Sequence, residues 1–222
     1  MRLFLSGGGS GRESIILDKM FAGSLDKSKP LLYIPVAIDK AKHQYAECFQ
    51  WISSAFNPLG VKSIVLWTEQ DIEKRVDIDI NRFSGVYIGG GNTYYLLSEL
   101  KNSGFIEKLM KLIETDVPVY GGSAGAIIMG RTILTSSDEN EVNLADFSGL
   151  NLINGYGIFC HYEEESGKKW VESCDKNIRA RTIALPENCG LFVSDERIEI
   201  IGPGSAYLPD KKSILKPGQI VE

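Results

Sequence analysis

Val117-Pro118-Val119-Tyr120-Gly121-Gly122-Ser123-Ala124-Gly125-Ala126-Ile127-Ile128-Met129-Gly130 reads as a buried strand, a glycine-flanked turn and the opening of a helix, with Ser123 at its sharpest point. Small residues on both sides let the backbone take a strained strand-to-helix turn, which lifts a serine oxygen clear of a sheet and points it at a cleft. The N–H groups of Ala124 and Gly125 would open the helix, where unpaired donors favour developing negative charge. The same string also fits a tight turn whose serine caps a helix. The rest of the chain has to separate the two.

Upstream of this stretch, short apolar runs alternate with amphipathic ones. Strands are predicted at residues 2–5, 30–36, 63–67 and 85–88, with helical spacing at 15–21, 45–56, 94–100 and 105–115. Residues 71–79 are charged and read as a short helix with a loop. This alternation implies right-handed crossovers and a mostly parallel sheet covered on both faces, with ligands at the carboxyl ends of its strands. A second glycine turn, Gly89-Gly90-Gly91-Asn92-Thr93, falls at such an end. The loop Gly7-Gly8-Gly9-Ser10-Gly11-Arg12 falls short of a dinucleotide fingerprint, because the last glycine of GxGxxG is missing.

Downstream, residues 132–147 are polar and irregular, a loop over one edge of the cleft. Residues 155–162 are strand-like and deliver His161 at their end, Glu163-Glu164-Glu165-Ser166-Gly167 breaks the pattern, and a helix is predicted over 168–179 with Trp170 and Val171 as anchors. Residues 181–185 form another strand, and 191–193 with 197–202 alternate like an antiparallel hairpin. With 222 residues, no internal repeat and no linker, one domain over residues 1–222 is expected.

The formal charge of −5 argues against a nucleic-acid partner. Cys48, Cys160, Cys174 and Cys189 lie far apart without a CxxC pair, so no metal site, redox motif or cofactor is indicated. Reduced thiols fit the cytoplasm. The first apolar segment is too short for a secretory core or a membrane span.

A serine hydroxyl needs a base within hydrogen-bond reach and a group to orient that base. Only His43 and His161 are available. His43 lies in a polar helix start and reads as solvated, whereas His161 ends a strand on the side where Ser123 is expected. Glu187, in the turn after residues 181–185, and Asp138, in the loop after the serine helix, are both candidates to orient it, and Glu187 is favoured. The order Ser, His, Glu differs from that of α/β-hydrolases, unless Asp138 is the acid. The N–H groups of Gly91 and Ala124 are the best candidates for an oxyanion hole.

The segments Ile88-Gly89-Gly90-Gly91-Asn92-Thr93, Tyr120-Gly121-Gly122-Ser123-Ala124-Gly125-Ala126, His161 after an apolar strand and Leu185-Pro186-Glu187 together resemble the peptidase E serine peptidases, aspartyl dipeptidases related to cyanophycinase. The resemblance covers nearly the whole chain. It implies an α/β fold, a flavodoxin-like three-layer sandwich of the class I glutamine amidotransferase type with a C-terminal antiparallel hairpin, present as a monomer or homodimer. It also implies Ser123 as nucleophile, His161 as base and Glu187 as its partner, with Gly91 and Ala124 supplying oxyanion amides and Asn92 and Asp138 beside the site. Aspartyl dipeptidases carry a longer segment after the histidine, including an arginine suited to a substrate aspartate. Here Tyr162-Glu163-Glu164-Glu165-Ser166-Gly167-Lys168-Lys169-Trp170 is short and acidic, and only Lys168 or Lys169 offers a cation, without the planar fork of arginine. The expected activity is hydrolysis of small peptides without strict preference for an N-terminal aspartate. A non-catalytic binder on the same fold, an isoaspartyl peptidase or another amidase are the rivals.

Overall fold

A computed structural model describes residues 1–74 and 79–222. The first half runs β1 (Arg2–Ser6), α1 (Ile15–Ser24), β2 (Leu31–Ile34), α2 (Tyr45–Phe56), β3 (Ile64–Leu66), α3 (Glu69–Lys74), β4 (Gly85–Ile88), α4 (Thr93–Asn102), α5 (Phe105–Glu114), β5 (Val119–Gly122) and α6 (Ala124–Ile127). The second half adds β6 (Gly157–Phe159), α7 (Glu164–Ser173), α8 (Lys176–Arg179), β7 (Thr182–Ala184), β8 (Gly190–Ser194), β9 (Ile198–Ile201), β10 (Ala206–Leu208) and β11 (Ser213–Leu215).

Among the described residues, seven strands form the central sheet in the order β3-β2-β4-β5-β1-β8-β9. The five strands from β3 to β1 are parallel, and β8 and β9 extend the sheet antiparallel along β1. Alternation along β1 shows why both faces need cover. Leu3 and Leu5 point into a core with Leu96, Leu97 and Leu109 from α4 and α5, whereas Phe4 points the other way, to Phe21 of α1 and Phe56 of α2. Helices on both faces of a mostly parallel sheet give the flavodoxin-like architecture expected. No described helix is long and apolar enough to cross a membrane.

Several local expectations change. Residues 155–162 and 181–185 do contain strands, but β6 and β7 pair in parallel with each other in a second sheet of order β11-β10-β7-β6. The helix predicted over 168–179 is two helices: α7 stops at Cys174, which is extended at ψ 140°, and Asp175 caps α8 by accepting from the Asn177 N–H at 2.8 Å. The acidic run does not precede α7 but opens it, since Glu164 and Glu165 occupy a first turn where negative charge is favoured. Trp170 does anchor the helix, stacking on Phe159 with ring centroids 4.3 Å apart. The helix after Ser123 is a single turn. Of the segment 71–79, α3 covers the first part and residues 75–78 lie outside the described residues.

Candidate active site

Ser123 lies between β5 and α6 with φ 49° and ψ −109°, a conformation that costs energy for any residue with a side chain and persists only where its surroundings enforce it. The enforcement is visible. The Ser123 N–H donates to the carbonyl of Ser6 at 3.2 Å, and its own carbonyl accepts from the N–H groups of Ala126 and Ile127 at 2.8 and 2.9 Å. Gly125 lets α6 abut β4, because a Cβ there would overlap the carbonyl oxygen of Ile88. The second glycine turn arrives beside the serine: a Cβ on Gly90 would stand 3.1 Å from that of Ser123. Ala124 is the first residue of α6, so its N–H has no partner within the helix.

His161 reaches this point from the other sheet. After β6 the backbone turns at His161, with φ 55°, and its N–H donates to the carbonyl of Gly7 at 2.8 Å. The turn sets Nε2 of the ring 2.8 Å from Oγ of Ser123. On the far side, Nδ1 lies 2.9 Å from Oε1 of Glu187, which the turn between β7 and β8 presents. An ionised carboxylate only accepts, so this contact favours the tautomer of the neutral ring that carries its proton on Nδ1 and turns the Nε2 lone pair toward the serine. The two side chains of this ion-pair geometry are each 50% exposed, so substrate can approach from solvent.

A cavity of about 260 Å³ opens beside Ser123 and His161, with Gly91, Ser136, Asp138 and Phe159 in its wall. Asp138 makes no hydrogen bond or ion pair with the imidazole. Its Oδ2 accepts from the Thr93 N–H at 2.8 Å, from the Thr93 hydroxyl at 2.6 Å and from the Ser136 hydroxyl at 2.7 Å. Asn92 caps α4, accepting from the Tyr95 N–H at 2.9 Å and donating to the Glu139 carbonyl at 2.9 Å. Both residues also border a neighbouring cavity of about 480 Å³ that shares Gly91 and includes Lys40 and Lys42. Cys160 lies in the wall of the smaller cavity, but burial pushes its thiol up, away from the reactive thiolate.

The profile of peptidase family S51 matches residues 3–201. The chain belongs to peptidase family S51. It is therefore a serine-type peptidase, a hydrolase. It is 26% identical over 190 residues to peptidase E of Pasteurella multocida strain Pm70, covering 82% of this chain and 79% of the relative. Against peptidase E of Nostoc sp. strain PCC 7120 the identity is 26% over 199 residues, covering 86% and 78%. The crystal structure of a peptidase from an acI-B1 Actinobacterium has the same fold, with a TM-score of 0.74 at 16% identity, over 100% of this chain and 96% of that one.

In this S51 member the lysines suggested by sequence fare differently from the serine and histidine. Lys169 is 77% exposed on α7, pairs with Glu165 at 3.8 Å and borders neither of these two cavities. Lys168 lies in α7, and its side chain is outside the described residues. His43 is solvated as expected, 62% exposed and 3.9 Å from Glu47. Ser136 and Phe159 were not singled out by sequence. Their signals were present: the polar loop 132–147 holds Ser136, and Phe159 lies two residues before His161.

Proposed function

We propose that this S51 peptidase cleaves small peptides through an acyl-enzyme on Ser123. The observation that carries the reading is the continuous line from Ser123 Oγ through the imidazole of His161 to Glu187, at 2.8 and 2.9 Å. Ser123 Oγ attacks the scissile carbonyl carbon as its proton passes to Nε2 of His161. Glu187 holds the ring tautomer and stabilises the imidazolium. The tetrahedral oxyanion is received by the N–H groups of Ala124 and Gly91, donors of a kind worth about a hundred- to a thousandfold in rate each. Collapse expels the amine, which takes the proton from Nε2. Water then attacks the ester, giving its proton to the same nitrogen, and the second collapse releases the acid as Ser123 Oγ takes that proton back from Nε2.

The cavity beside Ser123 holds about 260 Å³, room for a single side chain of the acyl residue. Its wall combines the Ser136 hydroxyl, the Phe159 ring and an Asp138 carboxylate already engaged by three donors. Such a lining suits a neutral side chain, which supports a dipeptidase-like activity not restricted to N-terminal aspartate. The test is a panel of Asp-Xaa, Xaa-Asp, basic and neutral dipeptides offered to the wild type and to Ser123→Ala. Hydrolysis of neutral dipeptides that disappears in the folded variant is expected. Turnover that survives in Ser123→Ala, or wild-type turnover of Asp-Xaa alone, contradicts the reading.

A further inference from the structure

We propose that Gly8, in the loop after β1, is the positioning residue that seats the imidazole of His161 against Ser123; this rests on the reading of His161 as the base. Gly8 has φ 117°, and the ring of His161 lies where its side chain would be. A Cβ at Gly8 would stand 2.5 Å from Nε2 and 2.7 Å from Nδ1, and nearer still to Cε1. These are the two nitrogens that face Ser123 and Glu187, so any side chain at Gly8 displaces the edge of the ring that transfers the proton.

The loop is anchored to both segments that carry the pair, the turn after β6 and the turn between β7 and β8. The Gly7 N–H donates to the Cys189 carbonyl at 2.9 Å, the Gly9 N–H to the Glu187 carbonyl at 3.2 Å, and the Gly7 carbonyl accepts from the His161 N–H at 2.8 Å. The Gly8 N–H is itself held by Oγ of Ser6 at 3.2 Å. Gly7 and Gly9 would overlap the carbonyls of Pro186 and Glu187 if they carried a Cβ. With its backbone tied at four points, the loop cannot retreat from a methyl group at position 8. The half-exposed ring can, and it moves off the serine oxygen.

Gly8→Ala tests this, with Gly11→Ala as its control. Gly11 belongs to the same loop and also has a positive φ, 59°, but a Cβ there meets nothing within 4 Å. The control therefore carries a positive-φ penalty, the milder one of the left-handed region, without the intrusion, and the ring signals of His161 separate the intrusion from the added backbone strain at Gly8. The chain has two histidines, so the ring resonances of His161 separate from those of His43 in a carbon–proton NMR spectrum. In Gly8→Ala the His161 ring signals are expected to shift while those of His43 stay, and kcat to fall by about a hundredfold or more, the scale of a misplacement near 1 Å, with KM little changed. Gly11→Ala should keep both the signals and kcat.

Unchanged His161 signals, or an unchanged kcat, in folded Gly8→Ala overturns the proposal. Should Gly8→Ala fail to fold, the double variant Gly8→Ala/His161→Ala is expected to fold because the overlap is gone, and its failure also overturns the proposal. A Ser123→Ala variant that keeps hydrolysis sinks the triad reading separately. The ring signals still decide the role of Gly8 in that case, since they need no turnover.

Discussion

Asp138 accepts hydrogen bonds from both the N–H and the hydroxyl of Thr93, at 2.8 and 2.6 Å, and so ties the polar loop after Ser123 to the first turn of α4. Its carboxylate works at a helix N-terminus rather than on the imidazole. Asp138→Asn weakens charge-assisted bonds to partly buried donors and should cost about 1–3 kcal/mol of stability, read from the denaturant midpoint. A midpoint equal to that of the wild type would show that the loop needs no such tie.

In the proposed mechanism Glu187 has the other role. In Glu187→Gln the amide can still meet Nδ1, but the negative charge that stabilises the imidazolium is gone. A buried triad carboxylate can carry about ten-thousandfold in kcat, and the half-exposed Glu187 should carry less, between about tenfold and a thousandfold, with KM retained. Steady-state kinetics of Glu187→Gln beside Asp138→Asn decide which acid serves the histidine: a larger loss of kcat in Asp138→Asn reverses the assignment.

Acidification should also separate activity from folding. A protonated His161 has no lone pair for the serine proton, so kcat/KM should fall as the medium is made acid while the fold persists. A rate profile flat from neutral to acid conditions is incompatible with an imidazole base.

Stability has its own pH dependence, seated at Asp18. This carboxyl is 5% exposed and accepts from the hydroxyls of Ser14 at 2.7 Å and Tyr120 at 2.8 Å. Burial pushes it above its ordinary value of 3.8 in spite of those two donors. The folded chain thus keeps a proton at Asp18 in a range where the unfolded chain has lost it. The resulting stability is fully present below 3.8 and is lost as pH rises through the raised native value. Asp18→Asn removes this term, so unfolding free energies at pH 4 and pH 7 should show the variant gaining on the wild type as pH rises. Parallel curves would contradict it.

Much of this was legible in the sequence because the informative residues are few and sit at element ends. Two histidines, one of them closing an apolar strand, made the search for a base short, and the glycine turns at 89–91 and 121–125 marked the carboxyl edge of the sheet. What the sequence hid was long-range. β6 and β7 are three-residue strands whose apolar pattern is the same whichever sheet they join, and their partners are chosen by packing. The loop of Gly7, Gly8 and Gly9 looks locally like a poor phosphate loop, and its contacts with His161 and Glu187 come from residues more than 150 positions away. Glu164 and Glu165 looked like a break because a charged run is read as solvated. The helix field at their position favours them instead.

The central claim is that His161 makes Ser123 a nucleophile. A fluorophosphonate probe with mass-spectrometric mapping measures it directly, since such a probe reports an activated serine oxygen. One adduct per chain, on Ser123, is expected, with labelling of folded His161→Ala slower by about a hundredfold or more, the range in which a general base contributes. Labelling at another residue, or His161→Ala labelling as fast as the wild type, would contradict the mechanism.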